Sequence, residues 1–475
     1  MADIFQWVWW ICWGLSACTV PSVLVQRAGR PSTALSWILA LFVFPPAVLP
    51  AWWLVGRTHL KVRRRRRRLS ESIFGEKLKA RPRGTEDPQP GSPVLSGITG
   101  LPEDMKRWVF PPTTGNEVRL CESGEKAFNA WECAIRGARR HVHLLFYIWR
   151  NDATGTCLRD ALIDAARRGV EVRLLVDAIG TPAPRSFFLP LINAGGRVEW
   201  FLPLKFGSRP AAINFRNHRK LLVIDGAAAF IGGMNVGDEY CAWVDLAVNI
   251  RGPAVDQMQE IFCDDWYYVT GEDLSDPRYF GGWEPSENPR AAAHICSCAV
   301  VTGGPHQRLN GIRETMLLAM SSATKRLWIM TPYFIPDVAL TQTLRLARYR
   351  GADVRLVVPA KNNWPLVRRA SRAYYPELLD AGIRICEFAG MLHAKVTIID
   401  DNLVCIGSAN LDERSFRLNF EMSCFLESFS LNTDIVHFFN EINGRSVEIR
   451  AADVITRSWL TRVVDAGLHL FSPVL

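Results

Sequence analysis

The sequence predicts an α/β protein of two similar halves that together form one site, preceded by a helical hairpin in a membrane. Three observations predict this fold class. A sparse polar motif occurs twice, strand-like and helix-like segments alternate around each copy, and two long uncharged segments open the chain. With 475 residues and 48% hydrophobic content, the chain is long enough for two core-forming units.

The two opening segments, residues 5–25 and 33–56, carry no charge and are long enough to cross a bilayer core. We interpret residues 1–60 as a membrane hairpin, because core helices of a soluble protein rarely stay uncharged for this length. Pro45, Pro46 and Pro50 are expected to kink the second segment or to leave it re-entrant. The segment LSAC at 15–18 is similar to a lipoprotein cleavage site, but Asp3 stands where a signal peptide needs a basic residue.

A basic run follows the second segment. The net charge is +9, and residues 57–68 contribute eight positive charges and no acid, so the rest of the chain carries only +1. Basicity confined to one patch argues against a nucleic-acid partner. The basic residues between the two segments are only Arg27 and Arg30, far fewer than in the run after the second segment. The positive-inside rule therefore puts the run and all that follows in the cytoplasm. The run is expected to contact anionic lipids at about 1 kcal/mol per residue, and residues 61–100 are read as a basic, Pro-rich linker.

The remainder of the chain repeats itself. RRGVEVRLLVDA at 167–178 and YRGADVRLVVPA at 349–360 each end a helical pattern and begin a buried strand. HLLFYIWRND and WIMTPYFIPD supply another strand before each. Strands alternating with helices predict two α/β units with largely buried sheets. We place the halves at 101–285 and 286–475, with the boundary in the Gly-, Pro- and Glu-rich stretch 271–291.

Each half carries one copy of the polar motif, HRKLLVID in the first and HAKVTIID in the second. Its polar positions are His218, Lys220 and Asp225, then His393, Lys395 and Asp400. Alternate side chains of a strand share a face, so the histidine and lysine of each copy can converge on one ligand. The aspartate completes each motif on the opposite face, which favours a structural anchor over a part in the chemistry.

A second polar cluster follows each motif at a fixed offset. GGMN ends at Asn235 and GSAN ends at Asn410, each asparagine 17 residues after its histidine. Asp245 lies 27 residues after His218, and Glu421 lies 28 residues after His393. A lone motif would be weak evidence, but two copies trailed by the same residue types at the same spacing indicate a shared site.

These residue types fit chemistry at a phosphodiester, which must be neutralised, attacked and given a proton at the leaving oxygen. The two lysines, Asn235, Asn410 and Ser408 can hold the non-bridging oxygens. One neutral histidine can attack phosphorus while the other, protonated, serves as acid. Asp245 and Glu421 would each bind the far ring nitrogen of a histidine. We expect no cofactor and no metal, because the sequence shows no metal-ligand spacing and its twelve cysteines include no CxxC.

The duplicated motif resembles the HKD motif of the phospholipase D superfamily. The membrane segment and the terminal HLFSPVL are similar to those of bacterial cardiolipin synthases. The resemblance implies a site between two halves, a phosphohistidine intermediate on His218, and acid and base work by His393. It also implies phosphatidylglycerol as both donor and acceptor, release of glycerol, and a multi-pass protein of the bacterial inner membrane. Gly233 stands opposite Ser408, so the first half is expected to offer fewer oxygen contacts.

Other functions fit the same motifs. A hydrolytic phospholipase D, or a phosphatidyltransferase that uses another alcohol, would need the same residues, and the sequence leaves the acceptor and the oligomeric state open. A nuclease of the superfamily is disfavoured by the two membrane segments and the nearly neutral remainder. A catalytically dead scaffold is discounted because every polar position of both motifs is filled.

The carboxyl-terminal stretch is amphipathic. Its apolar positions share one helical face and are Trp459, Leu460, Val463, Val464, Leu468 and Phe471. Such a face either packs on the protein's own core or lies on the bilayer beside the site.

Overall fold

A computed structural model describes residues 2–28, 31–56, 95, 97–98, 100–102, 105–203, 215–284, 293–361 and 365–455. The basic run at 57–68, nearly all of the linker and the amphipathic carboxyl-terminal stretch lie outside these residues. The predicted junction of the halves, between residues 285 and 286, also falls on residues that are not described, 285–292, whereas 271–284 of the boundary stretch are described.

The amino-terminal unit contains one helix that can cross a membrane by length and composition. This helix, α1, spans Ala2–Gln26, and its apolar part is Gln6–Gln26. The second predicted span is not a single helix. It divides into α2 (Pro31–Val43), α3 (Pro45–Ala51) and a π-helical turn (Trp52–Gly56). The break falls at Phe44, because Pro45 and Pro46 offer no backbone N–H to a continuing helix and disfavour helical backbone at the residue before them.

The divided segment folds back against α1. The Ser16 hydroxyl donates to the Leu41 carbonyl at 2.9 Å, across 25 residues of chain. Val23 and Leu41 are fully buried in a small apolar cluster with Trp52, whose ring meets that of Trp37 edge-on at 5.1 Å. The amino-terminal segments therefore form a packed helical unit.

The second unit of the chain is built from alternating strands and helices. The elements of its first half are β1 (Thr113–Cys121), α4 (Gly124–Gly137), β2 (His141–Phe146), α5 (Ala153–Arg167), β3 (Glu171–Asp177), α6 (Leu189–Asn193), β4 (Arg197–Phe201), β5 (Arg216–Asn217), β6 (Leu221–Ile224), β7 (Ala228–Gly232), β8 (Ala247–Arg251) and α7 (Ala254–Thr270). Short 3₁₀ turns occupy Arg185–Phe188, Asp238–Cys241 and Pro277–Tyr279.

The second half repeats this series. Its elements are β9 (His294–Gly303), α8 (Gly311–Ser321), β10 (Arg326–Met330), β11 (Phe334–Ile335), α9 (Val338–Tyr349), β12 (Asp353–Pro359), α10 (Pro365–Arg372), α11 (Tyr375–Asp380), β13 (Arg384–Phe388), β14 (Val396–Ile399), β15 (Leu403–Gly407), β16 (Leu411–Asp412), α12 (Glu413–Arg417), β17 (Asn419–Glu427), α13 (Phe429–Gly444), β18 (Ser446–Ile449) and α14 (Ala451–Ile455).

One mixed sheet runs through both halves. Among the described strands its order is β4-β3-β2-β6-β7-β8-β1-β9-β17-β15-β14-β10-β12-β13-β18, with β5 added beside β17. The outer strands β2, β3 and β4 are parallel, as are β10, β12 and β13. The halves meet at the antiparallel pair of β1 and β9, so the strand order of one half mirrors that of the other. The fold is a mixed α/β fold with two repeated domains.

The repeated sequence segments fold alike because each ends in an aspartate that caps the following helix. Asp152, at the end of HLLFYIWRND, caps α5 by accepting the Gly155 N–H at 2.9 Å. Asp337, at the end of WIMTPYFIPD, caps α9 by accepting the Leu340 N–H at 3.0 Å. A capping carboxylate satisfies a backbone donor that the first helical turn leaves without an intrahelical partner. Each half therefore turns from strand to helix at the same point.

Candidate active site

The backbone of each motif histidine is bonded to the backbone of the opposite half. The backbone N–H of His218 donates to the Phe420 carbonyl at 2.9 Å, and the backbone N–H of His393 donates to the Val244 carbonyl at 2.7 Å. Phe420 and Val244 each directly precede one of the two predicted orienting acids. The backbone therefore brings each histidine to the acid of the other half.

The first crossed pair joins His218 and Glu421. The Nδ1 atom of His218 lies 3.0 Å from Oε1 and 3.1 Å from Oε2 of Glu421, across 203 residues of chain. Glu421 is fully buried, and it also accepts the Ser408 hydroxyl at 2.5 Å and the Asn419 side-chain amide at 3.2 Å. This carboxylate is held on several sides and fixes the ring of His218 through its Nδ1 atom.

The second crossed pair joins His393 and Asp245. The Nδ1 atom of His393 lies 2.7 Å from Oδ2 of Asp245, and Oδ1 of Asp245 accepts the Leu246 N–H at 2.8 Å. Both members of the pair are buried. In both pairs the acid takes Nδ1, so Nε2 is the atom of each imidazole left for chemistry.

The two lysines are buried beside their own histidines. The Lys220 ammonium donates to the His218 carbonyl at 2.7 Å. The Lys395 ammonium donates to the His393 carbonyl at 2.6 Å, and it lies 3.1 Å from the His393 Nε2 atom. The cations therefore line the same site as the imidazoles, where an anionic ligand would be neutralised.

Burial controls the protonation of the bases. Burial, together with the neighbouring lysines and against the opposing effect of the acids, lowers the pKa of His218 to about 4 and that of His393 to about 3. Burial also lowers the pKa of Lys395 to about 8 and that of Lys220 well below its ordinary value. Both imidazoles are consequently neutral near pH 7 when no anion is bound.

The acids stay ionised although they are buried. Burial alone would raise the pKa of Glu421, but its interactions with His218, Lys220 and Ser408 outweigh it and hold this pKa below its ordinary value. His393 and Lys395 likewise hold the pKa of Asp245 below its ordinary value against the effect of burial. The site thus keeps two carboxylates ready to stabilise an imidazolium.

The predicted oxygen-binding residues differ in whether their side-chain oxygen already has a hydrogen-bond partner. Asn410 is buried, and its Oδ1 atom has no hydrogen-bond partner among the described residues. The Oδ1 atom of Asn235 accepts the Ile148 N–H at 3.2 Å. Ser408 is fully buried, donates to Glu421 and accepts the Met422 N–H at 3.0 Å. These contacts favour support of Glu421 by Ser408 over the direct substrate contact expected from the sequence.

The asymmetry at Gly233 has a steric cause. A Cβ atom built on Gly233 would lie 2.4 Å from Oδ1 of Asp245, closer than real Cβ atoms come to another atom. A serine at this position would therefore push aside the acid that pairs with His393. In the second half the corresponding Ser408 instead supports Glu421.

The two motif aspartates lie away from the histidines, at the other end of each motif strand. Asp225 accepts the backbone N–H groups of Arg139, Arg140 and His141 at 2.9, 2.7 and 2.9 Å. Asp400 accepts the corresponding groups of Thr324, Lys325 and Arg326 at 3.0, 2.7 and 3.0 Å. Both aspartates have positive φ, 55° and 50°. These contacts tie each motif to the start of β2 or β10, which favours the anchoring role.

Three residues at the site were not predicted from the sequence. The ring of Tyr147 meets that of His218 edge-on at 4.9 Å, and the ring of Trp243 lies 5.3 Å from that of His393. Asn419 touches Glu421 and retains a buried Oδ1 atom without a hydrogen-bond partner among the described residues. Asn419 and Trp243 each lie two residues before an orienting acid, which is the one signal that could have found them.

Comparison with known proteins identifies the family. A family model described as "Cardiolipin synthase, PLD-like domain" matches residues 132–266 and 316–443. Cardiolipin synthase 2 of Bacillus cereus is 35% identical over 97% of this chain and 90% of its own length. Cardiolipin synthase of Geobacillus sp. strain WCH70 is 34% identical over 97% of this chain and 92% of its own length.

A solved structure supports the fold. The phosphatidylserine synthase of Haemophilus influenzae Rd KW20 superposes with a TM-score of 0.60 at 13% identity, covering 80% of this chain and 100% of its own. With the full-length sequence relatives, the chain belongs to the cardiolipin synthase family of the phospholipase D superfamily, and it is a membrane phosphatidyltransferase of phospholipid biosynthesis.

Proposed function

We propose that this enzyme transfers the phosphatidyl group of one phosphatidylglycerol to a hydroxyl of a second, releasing glycerol and forming cardiolipin. The observation that carries the proposal is the pair of crossed histidine–carboxylate contacts, His218 with Glu421 and His393 with Asp245, in a site that also holds two lysines. A double displacement at phosphorus needs one nucleophile and one acid–base group, each with its own partner. This arrangement supplies both.

In the first step the Nε2 atom of His218 attacks phosphorus, and the bond from phosphorus to the glycerol oxygen breaks. Glu421 stabilises the positive charge that develops on the His218 ring. His393 gives its Nε2 proton to the departing glycerol oxygen, and Asp245 holds the His393 ring for this transfer. The products of the step are glycerol and a phosphatidyl group bound to His218.

In the second step His393 takes the proton of the incoming hydroxyl as its oxygen attacks phosphorus. The bond from phosphorus to His218 breaks, and the ring of His218 returns to its neutral form. The non-bridging oxygens are held throughout both steps by two lysines and two asparagines, Lys220, Lys395, Asn235 and Asn410. Ser408 acts through Glu421, and Asp225 and Asp400 act as anchors of the motif strands.

His393 must carry a proton in the first step, yet burial lowers its pKa to about 3 in the empty site. The negative charge of a bound phosphodiester favours the protonated imidazole and so raises this pKa. We infer that substrate binding raises this pKa enough for His393 to take up a proton from solvent. The free site would remain neutral at both histidines until a lipid phosphate enters.

The proposal also covers the arrangement of the chain in the membrane. The amino-terminal segments form a hairpin in the bacterial inner membrane, and the catalytic halves, 101–285 and 286–475, face the cytoplasm. Support comes from the apolar helix Gln6–Gln26 and from the arginine run after the second segment. A reporter fused after residue 100 should be accessible from the cytoplasm, and access from the periplasm alone would overturn the orientation.

One experiment tests the acceptor. The purified full-length enzyme is incubated with phosphatidylglycerol as the only lipid, and the products are identified by mass. Cardiolipin and glycerol in equal amounts are the expected result. Phosphatidic acid as the only lipid product would instead identify a hydrolytic phospholipase D. A product that appears only when another alcohol is added would identify a different phosphatidyltransferase.

A further inference from the structure

The two histidine motifs lie in different surroundings, although their backbones are held alike. The residues around His218 read RNHRK, and those at the same places around His393 read MLHAK. The first motif thus carries two arginines and an asparagine where the second has methionine, leucine and alanine. All three of these polar residues, Arg216, Asn217 and Arg219, are buried.

Arg219 connects helix α7 to the acid that orients His218. Arg219, like His218 and Lys220, lies just before β6, which begins at Leu221. Its Nη1 atom donates to Oδ2 of Asp265, on α7, at 2.6 Å. Its Nε atom donates to the backbone carbonyl of Glu421 at 3.1 Å. One guanidinium therefore links the middle of a core helix to Glu421.

The same aspartate also fixes the strand that precedes His218. The side-chain amide of Asn217 donates to Oδ2 of Asp265 at 2.9 Å, and the Asn217 side-chain oxygen accepts the Arg219 N–H at 3.2 Å. On the other side, Asp177 accepts the Asn217 N–H at 3.0 Å and pairs with Arg216 at 3.3 Å. Both ends of the His218–Glu421 pair are thereby tied to Asp265.

A buried ion pair is weak evidence for stability, because desolvation of the two charges offsets their attraction. What the pair supplies here is a fixed position, since the planar guanidinium donates in defined directions to two groups at once. Resting on the proposed role of His218 as nucleophile, we propose that Arg219 and Asp265 are positioning residues, which hold Glu421 against the Nδ1 atom of His218. The second half has no such link at the matching position, because Ala394 replaces the arginine.

The test compares the buried Arg219–Asp265 pair with a partly buried arginine–glutamate pair in the full-length enzyme. Arg219→Met with Asp265→Asn removes the link without leaving a buried charge alone. The matched control, Arg173→Met with Glu272→Gln, removes an arginine–glutamate pair of 2.9 Å in the same half, formed with the residue just beyond the end of α7. Melting temperature, kcat and KM for phosphatidylglycerol are measured for each variant.

We expect the Arg219–Asp265 variant to lose about 10-fold to 100-fold in kcat with little change in KM, the scale on which partners that orient a functional side chain act. The control should melt at a lower temperature but keep kcat within about twofold. Arg219→Lys serves if the double variant does not fold, because lysine keeps the charge beside Asp265 but lacks the fork that reaches Glu421. Its kcat should also fall. A kcat within twofold of the wild type in the folded variant, or an equal loss in the control, would overturn the inference.

A second comparison shows whether the pair acts through Glu421. In an enzyme that already carries Glu421→Gln, removing the Arg219–Asp265 link should cost almost nothing more, because residues that act as a unit are not additive. Losses that multiply would contradict a positioning role. His218→Ala separates this inference from the proposed function. An active His218→Ala enzyme refutes the mechanism itself, whereas an inactive one with additive losses refutes only the positioning role.

Discussion

Replacing Glu421 by glutamine should stop the first displacement while leaving lipid binding in place. Glutamine keeps the shape of the side chain but removes the negative charge that faces the Nδ1 atom of His218 at 3.0 Å. An amide N–H turned toward Nδ1 would also favour the tautomer with its proton on Nε2, which is not a nucleophile. Both effects act on kcat more than on KM.

The magnitude follows from the geometry. With charge centres about 4 Å apart and an effective dielectric constant of about 20, the carboxylate stabilises an imidazolium by about 4 kcal/mol. Each 1.36 kcal/mol is a factor of ten in rate, so kcat should fall about 10³-fold. A wrong tautomer increases the loss toward about 10⁴-fold, as in serine proteases with an amide in place of the triad acid.

The assay is a rapid quench of enzyme mixed with phosphatidylglycerol labelled in its phosphate, followed by detection of label on His218. Glu421→Gln should abolish the early burst of labelled enzyme. Asp245→Asn, which removes the partner of His393, should slow leaving-group protonation but leave the orientation of His218 intact. Glu387→Gln is the control, because Glu387 is a buried carboxylate on β13 that contacts Arg372 and Tyr375 instead of a histidine. A normal burst of label on His218 in Glu421→Gln, together with loss of that burst in Asp245→Asn, would refute the crossed pairing.

Three further predictions can be checked with the purified enzyme. His218→Ala and His393→Ala should each lower turnover by several orders of magnitude, and mixing the two variants should restore nothing if both histidines act within one chain; near-normal cardiolipin formation by either would exclude the mechanism. The pH profile of kcat should be bell-shaped: its acid limb reports protonation of His218, whose pKa in the free site is lowered to about 4, and its alkaline limb reports loss of the proton that the bound phosphodiester favours on His393, to which loss of the Lys395 proton above about pH 8 adds. A flat profile between pH 4 and 10 would contradict this assignment. Asp225→Asn and Asp400→Asn should each lower the free energy of unfolding by about 2–3 kcal/mol through weakened backbone hydrogen bonds, while kcat per folded molecule stays within about tenfold; full stability with no activity would make these aspartates catalytic instead.

The sequence alone predicted the family and the repeat. Two copies of one motif, each followed by an asparagine and an acid at the same spacing, predicted a duplicated α/β protein, and the strand order of the two halves confirms the repeat. The resemblance to the phospholipase D superfamily is confirmed by the family model and by relatives along nearly the whole chain. The repeat and the family resemblance can be recognised in the sequence because they depend on the local spacing of residues. In a strand or a turn, that spacing sets the direction of each side chain. The half boundaries and the residue roles stay predictions.

The tertiary structure decided which groups meet. The sequence predicted that Asp245 and Glu421 bind histidines but could not assign the partners, which lie 203 and 148 residues apart. Oxygen binding by Ser408 stays a prediction, and the sequence gave no sign that the Ser408 hydroxyl donates to Glu421 or that Arg219 reaches Asp265. Backbone pairing between the halves sets the two histidine–acid contacts, because the residues just before each motif strand pair with the backbone of the opposite half, which presents the acid. The spacing of residues along the chain does not show which half supplies the acid for each histidine.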